Sequence, residues 1–370
     1  MSGMQSAAAL AMRTMITAGH RARMIQVAAQ LGIADILARG PADTTRLAAD
    51  SGCDADALGR LLRALAASGV FRQTTDGAWQ LTDLGETLCA DSPASCHAAA
   101  LYWGLDSIRS AWDHLEHSIR TGEPGFERAN RRRFFEYMDA VSRDGNLFDA
   151  FITRSQNSRA AIHAAAIDCT RFRHVVDVGG GQGAFLAELL KRNAHLTGTV
   201  LDLPRVVEAA RATASREHLD GRMDAVEGSF FHQIPSGADA YILASILHDW
   251  PDEAAVRILR ACQAAMLPDA SLLVIEQVLG SLNTDVLFSA ESDVSMMVLL
   301  GGRERTQEDF AALLASVDLT LAETVYTPTS FSLLIARSAI PDRRTSVKSV
   351  VPEWQMSVRA PAALSSSRDS

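Results

Sequence analysis

The stretch His-Val-Val-Asp-Val-Gly-Gly-Gly-Gln-Gly, residues 174–183, decides the fold of this chain. Its first five residues are typical of a short buried strand. The glycines that follow let the backbone turn tightly and approach a ligand closely. Residues 184–192 then predict a helix. A strand that runs through a glycine-rich turn into a helix is the context of a nucleotide-binding loop at the edge of an α/β sheet.

Beyond this loop, short apolar runs alternate with helical patterns. The predicted strands lie at residues 199–203, 223–227, 240–243, 271–276, 319–326 and 331–337, with helices at 204–217, 252–266 and within 307–338. Such alternation indicates a parallel sheet with helices on both faces. The sequence therefore predicts an α/β, Rossmann-like domain at residues 169–340.

The sequence before the glycine loop has a different pattern, mostly helical. Helical spacing at residues 5–38, 44–50 and 54–68 precedes two short strands around an Asp-Gly turn, a winged-helix pattern. Its acidic and apolar helices favour packing or dimerisation over DNA binding. We expect a winged-helix-like dimerisation domain at 1–96 and a helical connector and substrate lid at 97–168. Residues 341–370, rich in Ser, Arg, Pro and Ala, predict a disordered tail.

Composition excludes several classes of protein. The 370 residues are 48% hydrophobic and 21% charged with a net charge of −9, which suits two globular domains and argues against nucleic-acid binding. The five cysteines form no C-x-x-C pair, so neither a zinc site nor a disulfide framework is expected. No signal peptide or membrane span is evident. The simplest expectation is a cytoplasmic protein.

Two cofactors suit the glycine loop. Gly179, Gly181 and Ala184 satisfy the dinucleotide pattern, and Asp202 lies where a ribose-binding acid could stand. Asp177 argues against a dinucleotide, because a carboxylate before the glycines would repel a pyrophosphate. It suits S-adenosylmethionine, which carries a sulfonium and an ammonium group and no phosphate. Asp202 could then accept both ribose hydroxyls.

The candidate catalytic group is His248, at the carboxyl end of a predicted central strand. Imidazole titrates near neutrality and can take the proton of a phenol. Glu276 ends the next strand, and Glu304 lies in a polar loop. A carboxylate near a histidine fixes its tautomer and raises its basicity.

Six motifs in this order make a family resemblance clear: DVGGGQG (177–183), LDLP (201–204), EGSFF (227–231), ILHDWPDE (246–253), VIEQ (274–277) and GGRERT (301–306). From about residue 12 to 338 the chain resembles the small-molecule O-methyltransferases related to plant caffeate and to bacterial polyketide and phenazine methyltransferases. The resemblance implies a class I methyltransferase domain behind a winged-helix dimerisation domain.

The resemblance also implies roles for single residues. His248 would be the general base, flanked by Glu276 and Glu304 as further catalytic residues. The implied cofactor contacts are Asp177, Gly179, Gly181, Asp202, Leu203, Ser229, Phe230, Ala244 and Trp250. The sequence departs from the plant pattern at Ser229, where an adenine-binding Asp is usual, and at Ala244, where a Lys is usual.

Candidate contacts to the acceptor come from the connector and from the helix before the GGRERT motif. They are Trp103, Phe135, Met138, Asp293, Met296 and Met297. Residues 109–138 resemble the matching part of bacterial phenazine methyltransferases, which favours a planar fused aromatic acceptor. Some relatives there methylate a ring nitrogen and lack the histidine, so the presence of His248 favours a hydroxyl.

The hypothesis is that His248 deprotonates an aromatic hydroxyl, which receives the methyl group of S-adenosylmethionine directly and leaves S-adenosylhomocysteine. No metal is expected, because the base replaces the effect of a metal on the hydroxyl. A homodimer is expected, because the apolar first helix exposes more apolar surface than it can bury alone. The alternatives left open are N- or C-methylation, a catalytically inactive relative, a nicotinamide-dependent oxidoreductase, and a ligand-sensing transcription factor.

Overall fold

The computed structural model describes residues 6–339. The expected disordered tail at 341–370 lies outside the described residues. The helices are α1 (Ala7–Ile16), α2 (Ala18–Gln30), α3 (Ile33–Leu37), α4 (Thr44–Ser51), α5 (Ala55–Ala67), α6 (Asp83–Glu86), α7 (His97–Trp103), α8 (Asp106–Trp112), α9 (Leu115–Thr121), α10 (Gly125–Asn130), α11 (Phe134–Ala140), α12 (Ser142–Ala165), α13 (Ala184–Arg192), α14 (Pro204–Arg216), α15 (Asp252–Ala265), α16 (Val286–Leu299) and α17 (Gln307–Ala315).

The strands form a small hairpin and one large sheet. They are β1 (Phe71–Gln73), β2 (Trp79–Leu81), β3 (His174–Val178), β4 (Thr197–Asp202), β5 (Met223–Glu227), β6 (Ala240–Ala244), β7 (Ser271–Leu279), β8 (Arg305–Thr306), β9 (Leu319–Tyr326) and β10 (Phe331–Ser338). A 3-10 turn, Leu247–Asp249, follows β6.

The N-terminal part is a helical unit closed by the β1–β2 hairpin, in which Phe71 pairs with Leu81. Its core includes Leu62 and Leu65 of the strongly amphipathic α5 and the buried Trp79, whose indole N–H donates to Thr44 Oγ1 at 2.9 Å. The single helix predicted at 5–38 is wrong in detail. Breaks at residues 17 and 31–32 divide that segment into three helices.

The connector is a set of short helices followed by the long α12. Aromatic side chains hold it together: Tyr102 stacks on Phe151 with ring centroids 4.7 Å apart, and Phe126 and Phe134 are 5.1 Å apart. Helix α12 packs along α13, the helix that begins at the glycine loop. The connector is therefore in direct contact with the ligand-binding end of the sheet.

The large sheet has the strand order β5-β4-β3-β6-β7-β10-β9, with β8 paired to the end of β7. Strands β3 to β7 run parallel, whereas β10 is antiparallel to both β7 and β9. Two apolar clusters cover the two faces, one around Leu186 and Ile242 and one around Tyr241 and Leu259. The predicted α/β sheet is confirmed, and the carboxyl ends of β3, β4, β6 and β7 meet at one edge.

Among residues 6–339, no helix combines the length and the apolar character needed to cross a lipid bilayer.

Candidate active site

A cavity of about 720 Å³ lies at the carboxyl edge of the parallel strands. The glycine loop and the ends of β4 and β6 form its floor, and α12, α16 and aromatic residues of the connector enclose it. Parallel α/β sheets bind ligands in this position, because the loops after neighbouring strands converge there.

The glycine loop presents its backbone to the cavity. Gly179 and Gly181 both line it and have positive φ values of 72° and 58°. A Cβ at Gly179 would lie 2.6 Å from Cδ1 of Ile246, so a larger residue would collide with the opposite wall. At Gly181 the nearest atom to an added Cβ is Gln156 Oε1 at 3.5 Å, which leaves this side of the loop open for a ligand.

Asp177 lies beneath the loop and does not line the cavity. Its side chain is buried, and neither carboxylate oxygen has a hydrogen-bond partner among the described residues. Burial, with the charge of Asp202, raises the pKa of Asp177 to about 7. An unpaired buried carboxylate is unfavourable unless a donor or a cation compensates it. Asp177 therefore fits a ligand with a cationic group above the loop.

Asp202 lines the cavity at the end of β4, beside Leu203. Its two oxygens accept the backbone N–H groups of Gly181 and Leu203, each at 2.7 Å. Burial raises the pKa of Asp202, although these two hydrogen bonds counteract the effect. Each carboxylate oxygen keeps a further lone pair, so Asp202 can still accept the hydroxyls of a ribose.

Ser229, Phe230 and Trp250 line the same side of the cavity. Trp250 connects the cofactor end to the connector, because it packs edge-on against Phe231 at 4.7 Å and stacks on Phe135 at 5.6 Å. Ala244 does not line the cavity, since it is the last residue of β6 and packs against the core cluster behind the sheet.

His248 lies on the 3-10 turn after β6, with its ring at the cavity. Its Nδ1 is 3.1 Å from Oε1 of Glu304 and 3.8 Å from Oε2 of Glu276. Its Nε2 is 3.4 Å from Oδ1 of Asp249. Glu304, on the Nδ1 side, favours the tautomer that carries its proton there and leaves Nε2 to exchange a proton.

Both glutamates are fully buried behind the ring, and neither lines the cavity. Oε1 of Glu276 accepts the backbone N–H groups of Ile246 and Leu247 at 2.9 and 2.8 Å. Oε1 of Glu304 also accepts Ser292 Oγ at 2.7 Å. The structure thus brings the three predicted catalytic residues together, with the two glutamates holding the turn and the imidazole.

The charges around His248 change how it titrates. Burial by itself lowers the pKa of His248, but Glu276, Asp249 and Glu304 outweigh burial and raise the pKa to about 10. Burial raises the pKa of Glu276 to about 7 and that of Asp249 to about 6. The imidazole of His248 therefore binds a proton tightly and has the high basicity that a proton acceptor for a phenol requires.

The 3-10 turn is held in place by the GGRERT segment. The buried guanidinium of Arg305 donates to the carbonyl oxygens of Leu247 and Trp250, at 2.7 and 2.8 Å, and pairs with Asp252. Gly302 packs directly on the turn: an added Cβ would lie 2.5 Å from the carbonyl carbon of Asp249. These contacts fix the backbone on which His248 is mounted.

The residues predicted to contact the acceptor divide into two groups. Trp103, Phe135 and Met296 line the cavity, whereas Met138, Asp293 and Met297 do not. Met138 is buried in the aromatic cluster of the connector, and Met297 packs against the same cluster. The carboxylate of Asp293 instead accepts the backbone N–H of Glu304 at 2.9 Å. Helix α16 thus turns only one side toward the cavity.

Several lining residues were missed by the sequence reading, among them Gln156, Arg159, Ser245, Asp249, Gln277 and Ser292. Ser245 has a φ of 57°, which is rare for a residue other than glycine and is typical of functional sites. Asp249 could have been found, because it adjoins His248 in the chain. No sequence signal marks the face of α12 that carries Gln156 and Arg159.

Two family models match the chain. An O-methyltransferase domain matches residues 112–318, and an O-methyltransferase dimerisation domain matches residues 16–91.

Relatives of known activity and structure match along most of their length. The chain is 38% identical to the O-methyltransferase SfmM3 of Streptomyces lavendulae, over 88% of this chain and 99% of that protein. It is 34% identical to the phenazine O-methyltransferase PhzM of Lysobacter antibioticus, over 87% and 94%. The O-methyltransferase NcsB1 of neocarzinostatin biosynthesis, solved with S-adenosylmethionine and 2-hydroxy-5-methyl naphthoic acid, superposes with a TM-score of 0.76 at 33% identity, covering 86% of this chain and 96% of that one.

Proposed function

The chain belongs to the S-adenosylmethionine-dependent small-molecule O-methyltransferases, and from this premise we propose that it methylates a hydroxyl of a planar, fused aromatic secondary metabolite with His248 as general base. The predicted family, fold class and cofactor are confirmed. The single observation that carries the proposal is the imidazole of His248 at the cavity, its Nδ1 held 3.1 Å from Glu304.

S-adenosylmethionine supplies, when bound, a methyl group on a positively charged sulfur. Gly179, Gly181 and Asp202 would hold it, because the open glycine backbone and the cavity-facing carboxylate match its ribose and amino-acid groups. Phe230 would pack on the adenine. The unpaired carboxylate of Asp177 beneath the loop favours the positive charge of this cofactor over a pyrophosphate.

His248 takes the proton of the acceptor hydroxyl at Nε2. Its pKa of about 10 is close to that of a phenol, about 10 for tyrosine, so the proton transfer is nearly balanced in energy. Glu304 holds Nδ1 and stabilises the positive charge that the ring gains. The walls of the cavity then contribute by holding the acceptor oxygen in line with the methyl group.

The aromatic walls support a flat acceptor. Trp103, Phe135, Phe148, Phe151 and Trp250 all line the cavity. Offset stacking and edge-to-face contacts with such rings favour planar aromatic molecules. PhzM carries phenazine in its name and NcsB1 was solved with a naphthoic acid, and both names describe fused rings. We therefore propose a fused aromatic hydroxyl as the acceptor class.

The test compares His248→Gln with His232→Gln, a matched change at an exposed histidine outside the cavity. We expect His248→Gln to lower turnover of hydroxylated naphthalenes or phenazines by roughly 10²–10⁴-fold, the usual contribution of a general base. Affinity for S-adenosylhomocysteine, measured by isothermal titration, should stay within a few-fold of wild type. Full activity of His248→Gln at neutral pH, or NMR spectra of the product that place the methyl on nitrogen or carbon, would contradict the proposal.

We also propose that the N-terminal domain forms a homodimer. Helix α1 has no buried residue, and four of its apolar side chains are more than half exposed: Leu10, Met12, Met15 and Ile16. A helix with this much exposed apolar surface is typical of an interface. The match to a dimerisation domain supports the same conclusion.

A further inference from the structure

Arg159 is a cation in the cavity wall to which the proposed mechanism gives no role. It lies on α12 and lines the cavity with its guanidinium 4.0 Å above the ring of Phe331, the first residue of β10. Within residues 6–339, its guanidinium forms no hydrogen bond and no ion pair with a carboxylate. The group therefore keeps all its N–H donors for a ligand.

The surroundings of Arg159 leave its charge uncompensated. Burial lowers the pKa of the Arg159 guanidinium to about 10, and the charge of Glu276 opposes this effect. His163, one turn further along α12, stays neutral near pH 7, because burial and the charge of Arg159 lower its pKa to about 4. A partly desolvated cation without an anion is unfavourable, so an anionic ligand would bind favourably there.

The position of Arg159 in the cavity indicates which class of anion it could bind. Gln156, one turn earlier on α12, approaches the open side of Gly181 in the glycine loop. Phe331, on the other side of Arg159, pairs with Gln277 at the end of β7. The guanidinium therefore stands between the cofactor end and the acceptor end of one continuous cavity. Asp177 and Asp202 near the glycine loop disfavour a phosphate, whereas a single carboxylate carries less negative charge.

We propose that Arg159 binds a carboxylate group of a ligand in the cavity, through the paired N–H donors that guanidinium groups offer to carboxylates. This proposal rests on the proposed function, since both ligands that could supply the carboxylate belong to that reaction. One source is the amino-acid carboxylate of the cofactor. The other is a carboxylate on the aromatic acceptor.

The experiment uses the full chain and five ligands whose binding is measured by isothermal titration. S-adenosylhomocysteine is compared with 5′-methylthioadenosine, which lacks the amino and carboxylate groups of the cofactor. It is also compared with decarboxylated S-adenosylhomocysteine, which lacks only the carboxylate. In the presence of S-adenosylhomocysteine, 1,4-dihydroxy-2-naphthoic acid is compared with 1,4-dihydroxynaphthalene. The variants are Arg159→Met and Arg159→Lys, with Arg143→Met as an exposed control on the same helix.

If the cofactor supplies the carboxylate, Arg159→Met weakens S-adenosylhomocysteine binding by roughly 10- to 100-fold. The affinities of 5′-methylthioadenosine and of decarboxylated S-adenosylhomocysteine should then stay unchanged. If the acceptor supplies it, the same loss is confined to the naphthoic acid. Arg159→Lys should recover part of the affinity in either case. Equal effects of Arg159→Met on ligands with and without a carboxylate, or no effect on any, would overturn the proposal. Failure of wild type to bind S-adenosylhomocysteine would instead contradict the proposed function.

Discussion

At the scale of single residues, the site depends on the charge placed behind one imidazole. His248 has Glu304 and Glu276 on its Nδ1 side and Asp249 on its Nε2 side. Its pKa of about 10 means that the unligated enzyme holds the ring protonated at neutral pH. The neutral base becomes more abundant as the pH rises, so kcat/KM is expected to increase with pH through the neutral range.

Glu304→Gln tests this electrostatic arrangement. The glutamine oxygen can still accept the Nδ1 proton, but the negative charge is gone, so the pKa of His248 should fall by about 1–3 units. The rising limb of the kcat/KM profile should move to lower pH by the same amount, with a lower plateau because the base is weaker. Full pH profiles of wild type, Glu304→Gln and the exposed control Glu308→Gln measure the shift. If the rising limb of the kcat/KM profile stayed at the same pH, the charge of Glu304 would not affect the pKa of the group that titrates.

The same variant has a consequence for stability. The folded-state pKa of His248 lies above its ordinary value of about 6.5, so protonation of this ring stabilises the fold fully below pH 6.5. That stabilisation is lost as the pH rises through about 10. Glu304→Gln should therefore lose less of its Tm than wild type between pH 7 and pH 10.

The sequence predicted His248, Glu276 and Glu304 as one group, because His248 follows β6, Glu276 lies in the neighbouring strand β7, and the family resemblance implied the place of Glu304. It was not enough to predict which side of a helix faces the cavity. Asp293 and Met297 point elsewhere, since α16 is apolar over most of its surface and its pattern does not mark one face. Arg159 was missed because α12 carries polar residues on all sides, so its pattern does not mark the side that faces the cavity.

At the scale of elements, the site depends on how the segment 301–306 docks on the 3-10 turn. Gly302→Ala should disrupt this contact, because a Cβ there would overlap the backbone oxygen of His248. We expect a loss of roughly 1–3 kcal/mol of stability from overpacking and a fall in kcat of up to about 10²-fold from displacement of the imidazole. Thermal denaturation and steady-state kinetics measure the two effects.

Gly19→Ala is the matched control for this change. A Cβ at Gly19 meets nothing within 4 Å, and the residue lies in a helix, where alanine is favoured over glycine. Its Tm and kcat should equal or exceed those of wild type. A Gly302→Ala enzyme with wild-type kcat would show that the turn tolerates displacement.

The sequence predicted the elements of the α/β domain well, because buried parallel strands and amphipathic helices have different apolar periods. It predicted the N-terminal and connector helices less well. Residues 5–38 form three helices where one was expected, and the region 97–168 contains six. Helical composition continues through those breaks, and Gly32, with a φ of 65°, is the clearest local signal of one.

At the scale of the whole molecule, the exposed apolar side chains of α1 have no packing partner within residues 6–339 of a single chain. The double variant Met15→Glu/Ile16→Glu should reduce the solution mass toward that of one chain, 39.8 kDa, because buried carboxylates oppose an apolar interface. Light scattering of wild type and variant measures this mass. Leu267→Glu, an exposed apolar position away from α1, is the control and should keep the wild-type mass. Wild type with the mass of one chain would contradict the homodimer.

The position of β10 in the sheet has a consequence for how the protein is made. β10, residues 331–338, lies between β7 and β9, although it is the last strand described. During translation β7 therefore emerges from the ribosome long before the neighbour that covers its outer edge. An unpaired apolar edge recruits other strands, so the nascent chain is prone to aggregate until β10 has been synthesised. The yield of folded enzyme in an expression host then depends on how well chaperones protect that edge while translation finishes.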